Sequence, residues 1–367
     1  MDASAGADRT GADRSRVVGA APITLTVALV VLPETTPGTI YGLHEMLGSV
    51  GTAWAEITGE DAPCACRFRP ILASWNGAPV RSAAGIPIAA EAALGDLSRV
   101  DLAIVTDLAI DMAADPRGRW PREAAWLAAR HREGALVGSV CTGSVLLAEA
   151  GLLDGLEATT HWAAVPVFRD HYPLVHLEPA RILCPAGEGH RIVTSGGAGA
   201  FTDFVLTIIA RFAGNAEARR IARLFLVGDL SEGQLPFAVM ARPRRHDDRV
   251  IAGVQAWIAD HYAAPRPVAE MARRAGLTER TFTRRFRRAT GYAPTEYVLA
   301  LRMEEAKQIL ETTPEPTDGV AQAVGYADPA SFRRLFKRIV GVSPARYRQR
   351  FGGRPGEAPW RGSDRDG

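Results

Sequence analysis

The chain has 367 residues, of which 47% are hydrophobic, 23% charged and 7% aromatic. This is an ordinary globular composition, and the length exceeds that of one typical domain of about 100 to 200 residues. It excludes a fully disordered protein, a collagen and a coiled coil, and no window reaches the roughly 18 apolar residues of a membrane helix. Four cysteines are too few for a disulfide framework. We expect a soluble, cytoplasmic protein of two domains with no membrane partner.

Positive charge is concentrated towards the carboxyl end. From Met240 to Arg350 there are 21 Lys and Arg against 12 Asp and Glu, a net charge of +9, whereas the rest of the chain carries −7. Because Lys307 and Lys337 are the only lysines, this charge is almost entirely guanidinium, the group suited to bidentate contact with phosphate and guanine. The carboxyl-terminal part is therefore predicted to bind an anionic partner.

Taken in chain order, the first 230 residues alternate short apolar runs with helical patterns. Residues 1–21 are small and polar and are predicted to be disordered. The predicted strands are residues 24–32, 68–74, 102–106, 135–140 and 191–194. The predicted helices are residues 39–50, 121–133, 142–150, 161–170 and 200–212. This alternation predicts an α/β domain over residues 22–230, with a parallel sheet covered by helices on both faces.

The remainder of the chain has a different character. Residues 231–248 have the Ser, Gly, Pro and charge clusters of a linker. From residue 249 the strand pattern disappears, and residues 249–351 are predicted to form an all-α domain. Its predicted helices are residues 250–262, 268–275, 279–290, 295–311, 318–324 and 329–340. Residues 352–367 are predicted to be a second disordered tail.

The all-α domain contains an internal repeat. The pattern F-x-x-x-F-x-x-x-x-G-x-x-P-x-x-Y occurs twice, fifty positions apart, at 282–297 and 332–347. Each copy predicts a short helix, a glycine-containing turn and a second helix whose two phenylalanines dock into a core. The opposite face of that second helix carries basic residues: Arg280, Arg284, Arg287 and Arg288 in the first copy and Arg333, Arg334, Lys337 and Arg338 in the second.

One such basic stripe indicates only a solvated helix face, but two copies in helix-turn-helix frames favour recognition helices. The region resembles the AraC/XylS DNA-binding domain, in which a long helix, here residues 295–311, joins two helix-turn-helix units. The resemblance includes G-V-S-P-A-R-Y-R at 341–348 and implies binding to double-stranded promoter DNA. By position it implies base contacts from Arg280, Thr281, Arg284, Ser331, Arg333 and Arg334. Arg287, Arg288, Lys337 and Arg338 are then predicted to contact phosphates.

In the first domain, Cys141 lies in G-S-V-C-T-G-S at 138–144, where a predicted strand runs directly into a helix between small residues. This pattern is typical of a nucleophile elbow. At such a turn the neighbouring helix amides are expected to favour the thiolate form of the cysteine. His161 follows twenty residues later, in T-T-H-W.

These segments resemble the ThiJ/PfpI branch of the class I glutamine amidotransferase-like superfamily. Cys141 and His161 match its cysteine and downstream histidine, and the segments G-L-L-D-G at 151–155 and T-S-G-G-A-G-A-F-T-D at 194–203 resemble those of its regulator members. The resemblance implies a flavodoxin-like parallel sheet. Fused to an AraC-type region, the domain is similar to the GlxA family of transcriptional regulators, over about residues 23–351.

Whether Cys141 is catalytic depends on an orienting acid. Glu34 and Glu45 follow the first strand, but neither occupies the position that the resemblance implies for that acid; Thr39 is closer. A pocket used for sensing is therefore favoured. Its candidate residues are Tyr41, His44, Cys141, Thr142, His161, Gly197 and Phe201.

No metal or cofactor is expected. Cys64 and Cys66 are separated by one residue, not by the two of a zinc-binding C-x-x-C pair, and no second pair exists. The glycine-rich segment 195–199 precedes a predicted helix but lacks the Lys and the spacing of a phosphate-binding loop.

Three functions follow as hypotheses. The first is a DNA-binding transcriptional regulator, a homodimer that senses a small effector such as an amine, amide or amino-acid derivative and contacts RNA polymerase if it is an activator. The second is a cysteine-dependent hydrolase or hydratase using Cys141 with His161. The third is a redox sensor that uses the Cys141 thiol.

Overall fold

A computed structural model describes residues 22–59, 63–227, 235–238 and 243–352. The strands are β1 Ile23–Val30, β2 Cys66–Ser74, β3 Val80–Arg81, β4 Pro87–Ile88, β5 Ala92–Ala93, β6 Leu102–Val105, β7 Leu136–Val140, β8 Glu157–Ala158, β9 His176–Leu177, β10 Leu183–Ala186 and β11 Ile192–Ser195. The helices up to residue 227 are α1 Pro37–Gly48, α2 Ala53–Thr58, α3 Pro121–Arg132, α4 Ser144–Glu149, α5 Val165–His171, α6 Phe201–Ala213 and α7 Asn215–Leu224. Those that follow are α8 Arg249–His261, α9 Pro267–Arg274, α10 Glu279–Thr290, α11 Pro294–Thr312, α12 Thr317–Ala323, α13 Pro329–Val340 and α14 Pro344–Phe351.

The α/β region is built on a seven-stranded sheet in the order β10-β11-β7-β6-β1-β2-β5. All neighbours are parallel except β10 and β11. Because successive side chains of a strand point to opposite faces, β1 supplies Val27 and Leu29 to a core with α1, α6 and α7, and Ala28 and Val30 to a second core with α3, α4 and α5. The predicted flavodoxin-like parallel sheet is confirmed.

The five predicted strands match β1, β2, β6, β7 and β11 to within two residues. The short strand β5 and the antiparallel edge strand β10 were not predicted. Pro185 interrupts the β10 pattern, and an edge strand tolerates it because one side of its backbone needs no ladder hydrogen bond. The predicted helix 161–170 begins as a 3₁₀ turn at Trp162–Ala164, and α5 starts at Val165. Helices α2, α7 and α14 were not predicted.

The helical region has two small cores that share one helix. Phe282 and Phe286 of α10 pack with Tyr297 of α11. Fifty positions on, the second repeat forms the same arrangement, since its two phenylalanines on α13 are fully buried and pack with Tyr347. Gly291 and Gly341 end α10 and α13 with φ of 82° and 90°, a left-handed conformation that glycine adopts without strain.

Arg302, in the middle of α11, ties the two helix-turn-helix units together. Its guanidinium donates to the carbonyls of Tyr262 at 2.7 Å, Ala264 at 3.2 Å and Gly325 at 3.4 Å. Gly325 is required in the second turn, because a Cβ there would lie 2.6 Å from the Ala263 carbonyl oxygen. The relative placement of α10 and α13 is thus fixed from inside the region.

The ends and the linker are only partly described. The predicted tail at 1–21, residues 353–367 of the predicted tail at 352–367, and residues 231–234 and 239–242 of the predicted linker lie outside the described residues. Within the linker, the Ala238 carbonyl accepts a hydrogen bond at 2.6 Å from the buried Lys307 ammonium of α11. In the described part of the chain, no helix is both long and apolar enough to span a membrane.

Candidate functional sites

The outer face of α10 is exposed and basic. Thr278 caps the helix by accepting the N–H of Thr281, and its hydroxyl donates to the Thr281 hydroxyl at 3.1 Å. This face carries four arginines that are predicted to contact DNA. Their side chains form no hydrogen bond or ion pair with another described residue. They are Arg280, Arg284, Arg287 and Arg288, and all are exposed. The helix therefore presents four guanidinium groups ready to meet an anion.

Arg285, between them in sequence, has a different role. Its guanidinium donates to both carboxylate oxygens of Asp248 at 2.7 and 2.9 Å. Asp248 also caps α8 by accepting the N–H of Ile251 at 3.2 Å. This arginine fixes the start of α8 against α10 and is not part of the exposed face.

On α13 the predicted contact residues are also exposed, but three of them are held by neighbours. Arg333 donates to Asp318 of α12 at 2.5 Å. Arg334 donates to the Ser331 hydroxyl at 2.8 Å, and Ser331 in turn donates to Asp328, the cap of α13, at 2.5 Å. No partner among the described residues holds the side chains of Lys337 and Arg338. The second helix thus presents pre-oriented polar groups beside two unpaired cations.

In the α/β region the predicted elbow is present. Cys141 has φ of 57°, an uncommon value for a non-glycine residue, at the turn from β7 into α4. A Cβ at Gly143 would lie 2.4 Å from the carbonyl oxygen of Thr106, so only glycine fits there. The Thr142 hydroxyl accepts the N–H of Leu108 and donates to its carbonyl, both at 2.7 Å. These contacts lock the elbow onto the loop after β6.

The environment of the thiol opposes ionisation. Burial, followed by the negative charge of Asp107, raises the pKa of Cys141 to about 12, although hydrogen bonds from Thr142 and from the main chain of Ala198 act the other way. Cys141 is therefore a neutral thiol near pH 7. The thiolate form that the motif predicts is therefore disfavoured, because burial and the charge of Asp107 outweigh the neighbouring helix amides.

Asp107 is a residue that sequence analysis missed. It is 7% exposed and follows β6, so the parallel sheet brings it to the same edge as Cys141. One carboxylate oxygen accepts a hydrogen bond from the Thr36 hydroxyl, and the other has no hydrogen-bond partner among the described residues. Its position directly after a buried strand was the available signal.

His161 begins the 3₁₀ turn that precedes α5. Its Nδ1 accepts the N–H of Ala163 at 3.1 Å, so the neutral ring carries its proton on Nε2. That tautomer does not suit a general base acting through Nε2. The ring packs against Gly197, where a Cβ would lie 3.3 Å from its Cδ2, and the preceding Thr160 hydroxyl donates to the Cys141 carbonyl at 3.3 Å.

The structure thus brings Cys141, Thr142, His161 and Gly197 to one edge of the sheet. The other three candidates, Tyr41, His44 and Phe201, have contacts of their own. The Phe201 ring lies against Gly42 of α1. Tyr41 on the same helix is exposed. His44 faces Glu91, with Nε2 3.8 Å from its carboxylate, next to the edge strand β5.

Glu34 does not supply the acid of a Cys–His pair in this arrangement. Its carboxylate pairs with Arg119 at 2.7 Å and accepts a longer hydrogen bond of 3.4 Å from Trp120.

Each of the two parts of the chain is similar to a known protein family. The sequence matches the DJ-1/PfpI family over residues 67–211 and a helix-turn-helix domain family over residues 271–350. It is 30% identical over 289 residues to the HTH-type transcriptional regulator CdhR of Pseudomonas aeruginosa, which covers 77% of this chain and 83% of that protein. The chain belongs to the GlxA-type family of HTH transcriptional regulators.

The chain is also 30% identical over 224 residues to the HTH-type transcriptional regulator GlxA of Rhizobium meliloti, and the match covers 60% of this chain and 67% of that protein. A crystal structure of an AraC family transcriptional regulator from Pseudomonas putida matches with 17% identity and a TM-score of 0.44, over 55% of this chain and 99% of that chain. The predicted DJ-1/PfpI and AraC-type resemblances are confirmed, and the enzyme alternative is not favoured.

Proposed function

We propose that this regulator binds promoter DNA sequence-specifically through α10 and α13, each entering the major groove. The observation that carries the proposal is the exposed basic face on both helices of the repeat, with six cationic side chains that no described residue engages. Such faces match the recognition helices of helix-turn-helix proteins. We assign the helical domain to residues 249–351 and the DJ-1/PfpI domain to residues 22–230.

The contacts divide into two groups. Residues in the first two turns of a recognition helix reach base edges, and those in the last turn meet the backbone. The proposed base-reading residues are Arg280, Thr281, Arg284, Ser331, Arg333 and Arg334. The proposed phosphate-contacting residues are Arg287, Arg288, Lys337 and Arg338.

The DJ-1/PfpI domain serves in this proposal as a sensor of a small molecule at the elbow edge of the sheet. The protonated Cys141 and the Nε2–H tautomer of His161 support sensing over turnover, since neither is poised for nucleophilic chemistry. We take the effector to be an amine, amide or amino-acid derivative. The regulator acts as a homodimer, because two linked DNA-binding modules bind one promoter more tightly than one module does. It works in the cytoplasm. Where it activates transcription, it contacts RNA polymerase.

The enzyme alternative rests on the strained backbone of Cys141, which is the feature that nucleophile elbows share. The substitution Cys141→Ala separates the two functions. It should abolish any turnover of an amide or carbonyl substrate and leave promoter binding intact.

The proposal is tested by fluorescence anisotropy of the full chain with DNA from upstream of its own gene and neighbouring genes, at fixed physiological salt, with scrambled DNA as competitor. We expect selective binding that is lost in the double variant Arg284→Ala, Arg334→Ala. The matched control is Arg181→Gln, which removes an exposed ion pair with Glu157 in the DJ-1/PfpI domain. Binding no tighter than to scrambled DNA in all conditions would refute the proposal.

A further inference from the structure

A cavity of about 710 Å³ lies where the DJ-1/PfpI domain meets the linker. It is bounded by α5, the loop at residues 111–113 and linker residues 243–245. Its charged lining, apart from a histidine, consists of Arg169, Arg244 and Arg245 with Asp111 and Asp170. Guanidinium groups outnumber carboxylates, and no described residue engages the Arg245 side chain. The cavity therefore has room for a small molecule and an excess of positive charge.

Asp170 is shared by two of these arginines. Its carboxylate accepts from Arg169 Nε at 3.1 Å and from the Arg244 guanidinium. The Asp170 side chain is 28% exposed and that of Arg244 is 47% exposed, so both can be reached from solvent. One carboxylate accepts hydrogen bonds from both guanidinium groups. An incoming anion can therefore take over the hydrogen bond from Arg244, while Asp170 remains paired with Arg169.

Arg244 also contacts the first recognition helix. Its backbone N–H donates to the carbonyl of Thr290, the last residue of α10, at 3.1 Å. A Cβ at the following Gly291 would lie 3.5 Å from Arg244 Nε and 3.6 Å from Arg169 Nη2. Both guanidinium groups thus lie against the carboxyl-terminal end of α10, where the helix dipole favours cations. Helix α5 and the first recognition helix meet at this cavity.

We infer that this cavity binds a small anion bearing a carboxylate or phosphate group, which displaces Asp170 from Arg244 and changes how α10 is held against the DJ-1/PfpI domain. The coupling rests on the proposed function, since it requires α10 to bind DNA. The site is distinct from the elbow edge, where the candidates are a buried carboxylate, a thiol and a histidine. Among the residues that the structure describes, the cavity lining reaches the helical domain at the end of α10, so the anion acts on this domain through its first helix-turn-helix unit.

The site is tested by isothermal titration calorimetry of the full-length protein with succinate, with inorganic phosphate and with neutral succinamide, at constant ionic strength. Arg244→Gln should weaken anion binding roughly tenfold, the effect of losing one charge-assisted contact. Asp170→Asn should instead strengthen it several-fold, because it removes the competing carboxylate while keeping the shape. Arg181→Gln, outside the cavity, should change nothing.

Binding of succinate alone assigns a carboxylate ligand, and binding of phosphate alone assigns a phosphate. Absence of both at millimolar concentration, equal binding of succinamide, or affinities unaltered by Arg244→Gln and Asp170→Asn would overturn the inference. The opposite signs of these two variants separate a binding site from a general effect on folding.

Anisotropy with promoter DNA then tests the coupling. Saturating anion should change the DNA affinity of the wild-type chain and leave that of Arg244→Gln unaltered. Anion binding with no change in DNA affinity would overturn the coupling. If the wild-type chain showed no selective DNA binding at all, the proposed function would be wrong. The calorimetry would still show whether the cavity binds an anion.

Discussion

Arg284 and Arg285 are neighbours in sequence but have opposite surroundings. Successive helix residues differ by about 100° in direction, so one points outward and the other reaches Asp248 at the start of α8. Only the outward arginine is available to DNA. Surroundings also decide the protonation state of Cys141, because burial and then the negative charge of Asp107 raise the pKa of its thiol in spite of its sequence motif.

Arg284→Ala should cost about 1 to 3 kcal/mol in DNA binding and relax the base preference at one position, since a bidentate arginine discriminates guanine in the major groove. Anisotropy with single-base variants of the operator measures both effects. Arg285→Ala is the matched control on the same helix, and it should lower the thermal midpoint while keeping the base preference. An equal loss on every DNA sequence would instead assign Arg284 to phosphate.

Cys141 should react slowly with iodoacetamide at pH 7 and faster only in strongly alkaline solution, because its pKa is about 12. Asp107→Asn should accelerate the reaction, since removing the negative charge lowers the thiol pKa. Site-resolved mass spectrometry of alkylation against pH follows the residue, with the partly exposed Cys64 as an internal reference. Rapid alkylation of the wild-type thiol at neutral pH would contradict the buried-thiol description and favour the redox-sensor hypothesis.

Sequence periodicity predicted six of the seven helices, α8 to α14, that the structure describes from residue 249 onward. Helices α10 and α13 have the predicted bounds, because capping residues, a phenylalanine pair and a terminal glycine all lie within each helix and its ends. Strands β5 and β10 were not predicted, since a two-residue strand and a proline-containing edge strand have no local period and form only against a neighbouring strand.

Asp248 joins two elements and gives a pH-dependent prediction. The Arg285 guanidinium lowers its pKa to about 2. A carboxyl with a lowered folded-state pKa stabilises the fold above its ordinary pKa of about 4, and this stabilisation is lost as pH falls towards 2. Asp248→Asn keeps a helix cap but removes the ion pair, so it should be less stable than wild type at pH 6 and lose less stability on acidification.

Urea denaturation of both proteins between pH 6 and pH 2.5 measures this difference. Glu270→Gln serves as a comparison, because Arg273 lowers the pKa of Glu270 to about 2 as well, but the ion pairs of Glu270 with Arg273 and Arg274 lie within one helix. Parallel stability curves for wild type and Asp248→Asn across the whole range would show that the ion pair contributes nothing.

Charge is divided unevenly between the two parts of the chain, with a net charge of +9 between Met240 and Arg350. The structure places acidic partners on some of these cations, including Arg285, Arg273 and Arg333. The charge available to DNA is therefore smaller than the sequence count and is concentrated on the outer faces of α10 and α13.

The salt dependence of promoter binding should reflect how many of these cations neutralise DNA phosphates. Arg338→Ala should weaken binding to all sequences and lower the slope of log affinity against log salt by about 1, because one fewer phosphate is neutralised. Anisotropy titrations between about 50 and 200 mM salt measure this slope. Arg181→Gln should keep the wild-type slope, and a similar decrease in that control would show a long-range effect of net charge.

Strands β1, β2, β6, β7 and β11, the repeated helix-turn-helix units and the elbow at Cys141 could be predicted from the sequence alone, because each depends on residues close together along the chain. Tertiary structure alone decided which arginines are free, that Cys141 is a neutral thiol, and that Arg244 joins Asp170 to the end of α10. Ion pairs and pKa values depend on distance in space and on burial. Asp107 and Cys141, or Asp170 and Arg244, become neighbours only when the sheet and the two domains assemble.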